Sequence, residues 1–319
     1  MPAQICIVIP AYNEEHAIGQ TVRDYRQVFP DARIVVIDNN SSDRTSEIAT
    51  EVLDPAKDLL LFEPRQGKGA AVKAGLSRLS ADIYIMTDGD GTYPAADAAR
   101  LVRMLLERRC DMVVGDRLTG GIYMKQNTRA GHSFGNWFLT RYISYLAGQK
   151  FSDVLSGLRV MSRPFVNMLD IRSSGFQLET ELNIVAAYVR ASIVEEPISY
   201  LQRSEGSESK LNTIRDGFRI IWFALLNWIA FYPLHAFGII AVFAFFISGL
   251  LGVAVFAVFL RLGFMPYSAT AVAAAAAGLV GLQSLFTGLN LRITGRNMRR
   301  QDIAKLVESR RLWNEQIDQ

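Results

Sequence analysis

Two long uncharged segments in the last third of the chain constrain its fold most strongly. Phe237 to Leu260 and Ser268 to Leu291 each run for about 24 residues without Asp, Glu, Lys or Arg, which exceeds the roughly 20 residues that a helix needs to cross a bilayer. A short connector separates them, so we expect a two-helix transmembrane hairpin. Two buried helices of a soluble core are the alternative, and soluble cores rarely carry two such uncharged runs.

Basic residues mark the flanks of this hairpin. They are Lys210, Arg215 and Arg219 before it and Arg292, Arg296, Arg299 and Arg300 after it. The connector holds one arginine, Arg261. By the positive-inside rule both flanks are cytoplasmic, so we expect an integral protein of the plasma (inner) membrane with both termini and its N-terminal domain in the cytoplasm.

The segments beside the hairpin differ from it in composition. Residues 212–234 mix Arg, Trp, Phe and Tyr with aliphatic residues, which is typical of an amphipathic helix in the headgroup region. Residues 293–319 are polar and helix-prone, which predicts a solvated cytoplasmic tail. The sequence therefore predicts four parts: a cytoplasmic domain (1–211), an interfacial helix (212–234) ending at Pro233, the hairpin (235–292) and the tail.

The N-terminal part alternates strand and helix patterns with short connections. The apolar runs typical of strands are Ile5 to Ile9, Ile34 to Ile37, Leu59 to Phe62, Ile83 to Met86 and Met112 to Val114. Segments with helical spacing lie between them: Glu15 to Val28, Asp43 to Leu53, Lys68 to Leu79 and Ala95 to Arg108. This alternation predicts an α/β fold, a mostly parallel sheet with helices on both faces.

Charge and cysteine content exclude several classes of protein. The 34 Lys and Arg residues nearly balance the 31 Asp and Glu residues, giving a net charge of +3, and the two signs are interspersed. A nucleic-acid partner is therefore not expected. The chain has two cysteines, Cys6 and Cys110, and Cys6 lies inside a strand pattern, so we expect no disulfide framework.

Polar clusters follow each of the five predicted strands. They are Pro10 to Glu15, Asp38 to Asp43, Arg65 to Gly69, Asp88 to Gly91 and Gly115 to Arg117. Because the carboxyl ends of parallel strands meet at one edge of a sheet, these clusters predict a ligand site there. Asp88 and Asp90 lie at the end of a buried strand, where unpaired charge is costly, so a positive group is expected between them.

The ordered motifs "VIPAYNEE", "VIDNNSSDRT", "GKGAAVKAGL" and "DGDGTYP" resemble the inverting glycosyltransferases of family 2, whose nucleotide-sugar domain is the Rossmann-like GT-A fold. The resemblance covers roughly residues 4 to 210. The segments "SDVLSGLRVMSR" and "RSEGSESKL", followed by the hairpin, are similar to the polyprenyl-phosphate branch, relatives of dolichyl-phosphate mannose synthase.

The resemblance implies a divalent cation, Mg²⁺ or Mn²⁺, held by Asp88 and Asp90, since hard cations select carboxylate oxygens. It implies that the nucleotide-sugar contacts Pro10, Tyr12, Glu14, Asp38, Gly67, Lys68, Asp88, Gly89, Arg203 and Lys210. The sequence departs from the family in two places. Gly91 and Thr92 stand where the relatives often have Leu-Gln, and Asn39 replaces the second aspartate of a common Asp-Asp pair.

An acceptor phosphate would be held, by the same resemblance, by Arg117, Arg129 and Ser133, because arginine presents a rigid fork that matches phosphate oxygens. Asp88, Asp90 and Arg117 form the expected catalytic set. A phosphate monoester is already ionised at neutral pH, so a general base is not required. Glu179 and Glu181 are therefore expected to be positioning residues or an optional base.

These expectations describe a metal-dependent inverting hexosyltransferase that moves one sugar from a nucleotide donor to undecaprenyl or dolichyl phosphate. A UDP-hexose is favoured, with GDP-mannose as the alternative donor. The lipid-linked product would supply cell-envelope glycosylation through a downstream flippase, and related two-span enzymes make a homotetramer plausible.

Two other functions remain open from the sequence. One is a membrane glycosyltransferase acting on a hydroxyl acceptor, a glycolipid synthase, which would need one of the two glutamates as base. The other is a non-catalytic nucleotide-sugar-binding membrane partner. A processive polysaccharide synthase is disfavoured because its Gln-x-x-Arg-Trp motif is not in the sequence. Nothing in the sequence names the sugar, the nucleotide, the metal or the lipid length.

Overall fold

The computed structural model of the chain describes residues 3–119, 139–145, 148–175, 177–203, 222–223 and 225–318. Their contacts divide the chain into two compact units. The first comprises Met1–Phe223 and Asp302–Gln319, and the second comprises Ala224–Gln301. We call them the globular unit and the apolar unit.

Seven strands and seven helical segments of the described residues build the globular unit up to residue 203. The strands are β1 (Ile5–Ala11), β2 (Arg33–Asp38), β3 (Leu59–Phe62), β4 (Ile83–Met86), β5 (Met112–Asp116), β6 (Arg159–Ser162) and β7 (Ile193–Pro197). The helices are α1 (Ile18–Val28), α2 (Thr45–Val52), α3 (Lys68–Leu76), α4 (Ala95–Arg108), α5 (Arg163–Val166) and α6 (Leu178–Val189). Residues 139–145 are also helical.

The strands form one sheet in the order β3-β2-β1-β4-β6-β5-β7. Strand β1 pairs in parallel with β2 and β4, β2 with β3, and β5 with β7. The predicted mostly parallel α/β sheet is therefore confirmed. Strands β6 and β7 were not predicted; β6 lies between β4 and β5 and runs antiparallel to both, and β7 is the edge strand beside β5.

The sheet is buried because its central strands are apolar on both faces. In β1, for example, Ile7, Val8 and Ile9 are fully buried, as expected for a parallel sheet covered by helices. Helix α1 covers the sheet with Ile18, Val22 and Tyr25, and its outer face is polar, as the apolar spacing of a surface helix requires.

The apolar unit contains α7 (Pro233–Leu262) and the start of α8 (Ser268–Ile317). Both helices are long and apolar enough to cross a membrane by length and composition. They contact each other through small residues: the Ser248 hydroxyl donates to the Ala274 carbonyl oxygen at 2.7 Å. A Cβ on Gly281 would lie 3.0 Å from the Phe245 ring, so glycine permits this close approach.

Nearly half of the predicted interfacial helix, residues 212–221 and 224, lies outside the described residues. Residues 222–223 and 225–231 are helical. Pro233 was expected to end this helix, but it begins α7. The first turn of a helix accepts proline because its backbone N–H groups have no intrahelical partner there.

The C-terminal tail differs from the prediction. It is helical, as expected, but it is not a solvated helix, because residues 302–319 belong to the globular unit. Leu306 is 1% exposed and Trp313 is 2% exposed. The last turns of α8 therefore bury apolar side chains, Leu306 and Trp313, although the composition of the tail is mostly polar.

Candidate functional site

The candidate site lies at the sheet edge where the parallel strands β1, β2, β4 and β5 end. Because β6 runs in the opposite direction, the segment that leads into it, residues 153–158, lies at this same edge. The edge therefore collects the five predicted polar clusters and one further segment that the strand pattern did not reveal.

The loop after β4 carries Asp88 and Asp90. A Cβ on Gly89 would lie 3.2 Å from the Ala11 Cβ and 3.3 Å from the Pro10 carbonyl oxygen, so glycine lets the loop lie against the end of β1. The Asp90 carboxylate is held from its own loop, since the Thr92 hydroxyl and backbone N–H donate to Oδ1 at 2.7 and 3.2 Å. Asp90 is 5% exposed.

Each of the two carboxylates lies against a cation. The Lys68 ammonium is 2.5 Å from Asp88 Oδ1 and donates a 2.5 Å hydrogen bond to Glu179 Oε1. Arg203 Nη2 lies 3.0 Å from Asp90 Oδ2. The structure thus brings together five of the predicted site residues: Asp88, Asp90, Lys68, Arg203 and Glu179, which is the second carboxylate on Lys68.

The charges of this cluster shift the pKa of its members. Burial raises the pKa of Asp90 above its usual range, and the neighbouring Asp88 raises it further, against the lowering effect of Arg203. Burial acts to lower the pKa of Lys68, but the charges of Asp88 and Glu179 outweigh it, so that pKa is raised. Lys68 is therefore a stable cation at any physiological pH.

Arg117, at the end of β5, pairs with a residue that the sequence did not single out. Its Nε and Nη2 donate to Asp153 Oδ2 and Oδ1 at 2.7 and 2.9 Å, a bidentate arrangement. Asp153 is fully buried. The guanidinium also stands over the Tyr200 ring, 5.7 Å from its centroid, and Tyr200 packs edge-on against Tyr93. The orientation of Arg117 is therefore fixed from two sides.

Arg159, the first residue of β6, is a second residue that sequence reasoning missed. It is fully buried and donates to the carbonyl oxygens of Val154 and Ser156 at 3.0 and 3.1 Å, and to Asn183 Oδ1 at 2.8 Å. Burial lowers its pKa to about 10, which still leaves it charged at neutral pH. Arg159 therefore fixes the segment that carries Asp153.

The ends of β1 and β2 hold the predicted nucleoside contacts. Pro10 lies within β1, Tyr12 directly follows the strand, and the backbone N–H of Glu14 donates to the Thr45 hydroxyl at 2.8 Å. The two carboxylate oxygens of Asp38 accept hydrogen bonds from the Ser41 backbone N–H and the Ser46 hydroxyl. Asp38 is 3% exposed, and these bonds hold the turn that follows β2.

Asn39 connects two loops of the site. Its side-chain amide donates to the carbonyl oxygens of Glu63 and Arg65, and its Oδ1 accepts the Gly67 backbone N–H at 2.6 Å. An aspartate could accept this last bond, but it could not donate to the two carbonyl groups. The departure from the family's Asp-Asp pair therefore has a structural role here.

Gly67, one of the predicted nucleotide-sugar contacts, and Gly69 both lie against the backbone of the loop before α6. A Cβ on Gly67 would lie 2.0 Å from the Ser174 carbonyl oxygen, and one on Gly69 would lie 2.2 Å from that of Ser173. Gly67 also has a φ of +131°. Because these two residues are glycines, the loop before α6 can pack directly on the backbone at the start of α3.

The two predicted glutamates have different roles in this loop. Glu181 accepts hydrogen bonds from the backbone N–H groups of Arg172 and Ser173 and from the Ser173 hydroxyl, at 2.6 to 2.9 Å. It is therefore a positioning residue for the loop that packs on Gly69. Glu179, which is 4% exposed, faces Lys68 and the Asp88 side of the site.

Three of the predicted site residues, Arg129, Ser133 and Lys210, lie outside the described residues. Asp153 and Arg159 are residues of this edge that the sequence analysis did not name individually. Both stand in the segment "SDVLSGLRVMSR", where polar residues interrupt an apolar pattern. This interruption and the resemblance of the segment to the polyprenyl-phosphate branch are the signals in the sequence that mark them.

The donor chemistry of the site fits a hard divalent cation. Among the described residues no group of three His, Cys, Asp or Glu side chains could hold a metal by itself. Asp88 and Asp90 supply two carboxylates, and the cations that lie against both in the structure show that each attracts positive charge. Two carboxylates together with phosphate oxygens of a substrate are a common way of binding Mg²⁺.

Comparisons with known proteins agree with the predicted fold and family. The model of Glycosyl transferase family 2 matches residues 6–168. Glycosyltransferase AglJ of Haloferax volcanii is 34% identical over 221 residues, covering 68% of this chain and 69% of that protein. The dolichyl-phosphate hexose transferase of the same organism is 32% identical over 215 residues, covering 67% of this chain and 89% of that protein.

Solved structures show the same fold at lower identity. Glucosyl-3-phosphoglycerate synthase from Mycobacterium tuberculosis, in complex with Mn²⁺, UDP and glucosyl-3-phosphoglycerate, superposes with a TM-score of 0.55 at 20% identity, covering 70% of this chain and 79% of that one. This likeness confirms the predicted GT-A fold. Since the matched region contains β1 to β6 and the loops that carry the Asp88 and Asp90 carboxylates, the chain belongs to glycosyl transferase family 2.

Proposed function

We propose that this protein transfers a single sugar from a nucleotide-sugar to a polyprenyl phosphate, with inversion at the anomeric carbon. The observation that carries the proposal is the pairing of Asp88 and Asp90 with Lys68 and Arg203 at the carboxyl edge of a family 2 domain. The acceptor class comes from the name of the dolichyl-phosphate hexose transferase relative, which aligns over most of its own length.

The donor binds at the ends of β1, β2 and β4 in this proposal. Tyr12, Glu14 and Asp38 surround the nucleoside, and the diphosphate lies over the Asp88 to Asp90 loop. Lys68 and Arg203 supply positive charge beside that loop, where the leaving diphosphate gains negative charge as its bond to the sugar breaks. Lys210 is proposed to contribute in the same way.

Asp88 and Asp90 would hold a Mg²⁺ or Mn²⁺ ion. When bound, such an ion supplies Lewis-acid stabilisation of the departing diphosphate. The Mycobacterium tuberculosis structure with the same fold contains Mn²⁺ and UDP, which supports this assignment. A transfer assay decides between the two metals and between UDP and GDP donors.

The acceptor needs no general base in this reaction. Its phosphate is ionised at neutral pH, and an oxygen of that phosphate attacks the anomeric carbon opposite the leaving group. Both buried glutamates already serve other groups: Glu181 holds the loop at Ser173, and Glu179 accepts a hydrogen bond from Lys68. This arrangement favours a phosphate acceptor over a hydroxyl acceptor.

Arg117 is proposed to orient the acceptor phosphate, with Arg129 and Ser133. Its bidentate bond to Asp153 fixes the guanidinium plane before substrate binds. The candidate membrane helices α7 and α8 suit a lipid acceptor. We further propose that the globular unit faces the cytoplasm of a plasma membrane, that the enzyme is a homotetramer and that a flippase uses its product.

A transfer assay tests the proposal. The detergent-purified full chain is incubated with radiolabelled UDP- and GDP-sugars and undecaprenyl or dolichyl phosphate, with Mg²⁺ or Mn²⁺ and again with EDTA. We expect a chloroform-soluble product that disappears with EDTA and returns when metal is added. Transfer to a hydroxyl-bearing lipid in place of the lipid phosphate would overturn the acceptor assignment.

Two variants extend this assay to the site. Asp90→Ala is expected to lower turnover by about a hundredfold or more, because it removes a carboxylate from the centre of the charge cluster. Asp31→Ala changes an exposed aspartate that precedes β2, at the opposite edge of the sheet, and is the matched control. Equal activity of the two variants would contradict the assignment of Asp90.

A further inference from the structure

The Lys68 ammonium lies beside the Asp88 carboxylate, which is one of the two proposed to hold a divalent cation. The ammonium is 2.5 Å from Asp88 Oδ1 and 2.5 Å from Glu179 Oε1, and the Lys68 side chain is 10% exposed. The backbone of Gly157 covers the contact: a Cβ there would lie 2.7 Å from Asp88 Oδ2 and 3.0 Å from the Lys68 ammonium. The Asp88 side chain is 27% exposed, so the ion pair is partly buried and only partly screened by water.

Asp90, the second carboxylate of the loop, also has a cationic partner. Arg203 Nη2 lies 3.0 Å from Asp90 Oδ2, while Oδ1 accepts two hydrogen bonds from Thr92. A divalent ion that binds to both carboxylates must therefore replace an ammonium at Asp88 and a guanidinium at Asp90. Breaking a buried pair is costly when one charge is left without a partner.

We propose that Lys68 is an internal competitor of the divalent cation, so that the cation binds tightly to the site only together with a nucleoside diphosphate. This inference rests on the proposed function, because it takes Asp88 and Asp90 as the residues that hold the metal. It assigns Lys68 a role beyond contact with the donor: the residue makes metal binding and nucleotide binding cooperative.

The geometry explains why the diphosphate would relieve the competition. Lys68 keeps one of its two carboxylate partners, Glu179, when Asp88 is taken by the metal. The diphosphate brings anionic oxygens that replace Asp88 as the other partner of the ammonium, so no buried charge is left unpaired. A cation arriving alone offers no such replacement. The coupling is reciprocal, so metal must raise nucleotide affinity by the same factor.

The test measures Mn²⁺ binding directly, without turnover. The signal of free Mn²⁺ in electron paramagnetic resonance falls as the ion binds, so titration of the metal-free full chain in detergent gives its affinity. With UDP or GDP present, the signal lost to the free Mn²⁺–nucleotide complex is measured without protein and subtracted. For the wild type we expect weak binding alone and at least about tenfold tighter binding with one of the nucleotides, the equivalent of one charged hydrogen bond.

Two variants separate competition from net charge. Lys68→Met removes the ammonium and is expected to raise Mn²⁺ affinity without nucleotide by about tenfold. The double variant Lys68→Met/Glu179→Gln removes one charge of each sign, so its net charge equals that of the wild type. We expect it to bind Mn²⁺ without nucleotide more tightly than the wild type as well, because Asp88 has lost its competitor.

The chain offers a matched control on the same helix. Lys73 also lies in α3, and its ammonium donates to the Ile171 carbonyl oxygen at 2.7 Å instead of to a site carboxylate. Lys73→Met is expected to leave Mn²⁺ binding unchanged.

Lys68→Arg keeps the charge and should keep Mn²⁺ binding weak without nucleotide. Glu179→Gln leaves Lys68 with Asp88 and should weaken binding further, which tests the inference even if Lys68→Met does not fold.

The outcomes distinguish this inference from the proposed function. If the wild type binds Mn²⁺ tightly only with nucleotide and the Lys68 variants lose that dependence, the inference stands. If the wild type and Lys68→Met bind Mn²⁺ equally without nucleotide, the competition is overturned while the metal assignment survives. If Mn²⁺ does not bind even with UDP or GDP, both the metal assignment and the inference fail.

Discussion

Arg310 donates from Nε to Oδ1 of Asp111 at 2.9 Å, across 199 residues of chain, and its Nη2 bonds the other carboxylate oxygen. Asp111 precedes β5, so this contact lies at the sheet edge opposite the candidate site. Burial raises the pKa of Asp111, and Arg310 opposes that effect. The end of α8 is thus part of the globular unit, where the Arg310 guanidinium is the counter-charge of the buried Asp111 carboxylate.

Arg310→Ala is expected to destabilise the globular unit by about 3 kcal/mol, because it leaves the buried Asp111 carboxylate without its guanidinium partner. Thermal unfolding of the full chain in detergent measures the loss. Arg311→Ala removes the exposed neighbouring arginine and should leave the melting temperature unchanged. The double variant Asp111→Leu/Arg310→Met should recover much of the loss, and a double variant as unstable as Arg310→Ala would contradict this explanation.

Trp313 is the apolar counterpart of that contact. It is 2% exposed, and its indole Nε1 donates to the Asp82 carbonyl oxygen at 3.2 Å. Trp313→Ala should cost about 3 to 5 kcal/mol through the cavity it leaves. Trp313→Phe keeps most of the ring and should cost about 1 kcal/mol through the lost hydrogen bond. Similar melting temperatures for Trp313→Ala and the wild type would show that the tail does not support the unit.

The parallel strands and the helices beside them could be predicted from the sequence because each is specified locally. Strands β1 to β4 are continuous apolar runs, and α4 has its apolar residues at helical spacing, so the predicted Ala95 to Arg108 matches the structure. Strand β6 could not be found in this way. It has four residues, and its first, Arg159, reads as polar although it is fully buried.

The contacts that the sequence did not reveal depend on residues far apart in the chain. Asp153 meets Arg117 across 36 residues, and Arg310 meets Asp111 across 199. No spacing rule links such positions. The tail illustrates the same limit: its helix could be predicted, but the burial of Trp313 could not, because a single tryptophan in a charged segment has no apolar periodicity around it.

The two cysteines should react slowly in the folded protein. Burial raises the pKa of Cys6 to about 12 and that of Cys110 to about 11, from 9.0, and the thiolate is the reactive form. Alkylation by iodoacetamide at pH 8 should therefore be slow in the native protein and fast for both thiols in denaturant. Rapid native labelling of Cys6 would contradict its burial within β1.

The same pKa shifts predict a loss of stability at high pH. Because the folded thiols ionise at a higher pH than the unfolded ones, the unfolded chain releases their protons first. Their contribution to stability is therefore complete below pH 9 and is lost progressively as the pH rises from 9.0 to the folded pKa values of about 11 and about 12. Melting temperatures of the wild type and Cys6→Ser, compared between pH 8 and pH 10.5, should converge at the higher pH.

Gly157 controls the geometry of the candidate site, because a Cβ there would lie 2.7 Å from Asp88 Oδ2 and 3.0 Å from the Lys68 ammonium. The backbone cannot retreat freely, since the Gly157 N–H donates to the Tyr93 hydroxyl at 2.8 Å. Gly157→Ala should therefore displace the Asp88 carboxylate and lower transfer by about a hundredfold, the effect expected of a misplacement near 1 Å.

The fold should tolerate this change, since the group that must shift is the end of a side chain at the site. We expect the melting temperature of Gly157→Ala to stay close to that of the wild type while transfer falls. Gly295→Ala, where a Cβ would meet nothing within 4 Å, is the control and should keep full activity. Undiminished transfer by Gly157→Ala would show that Asp88 does not need the position it has here, and it would remove the geometric basis for placing the donor diphosphate at this loop.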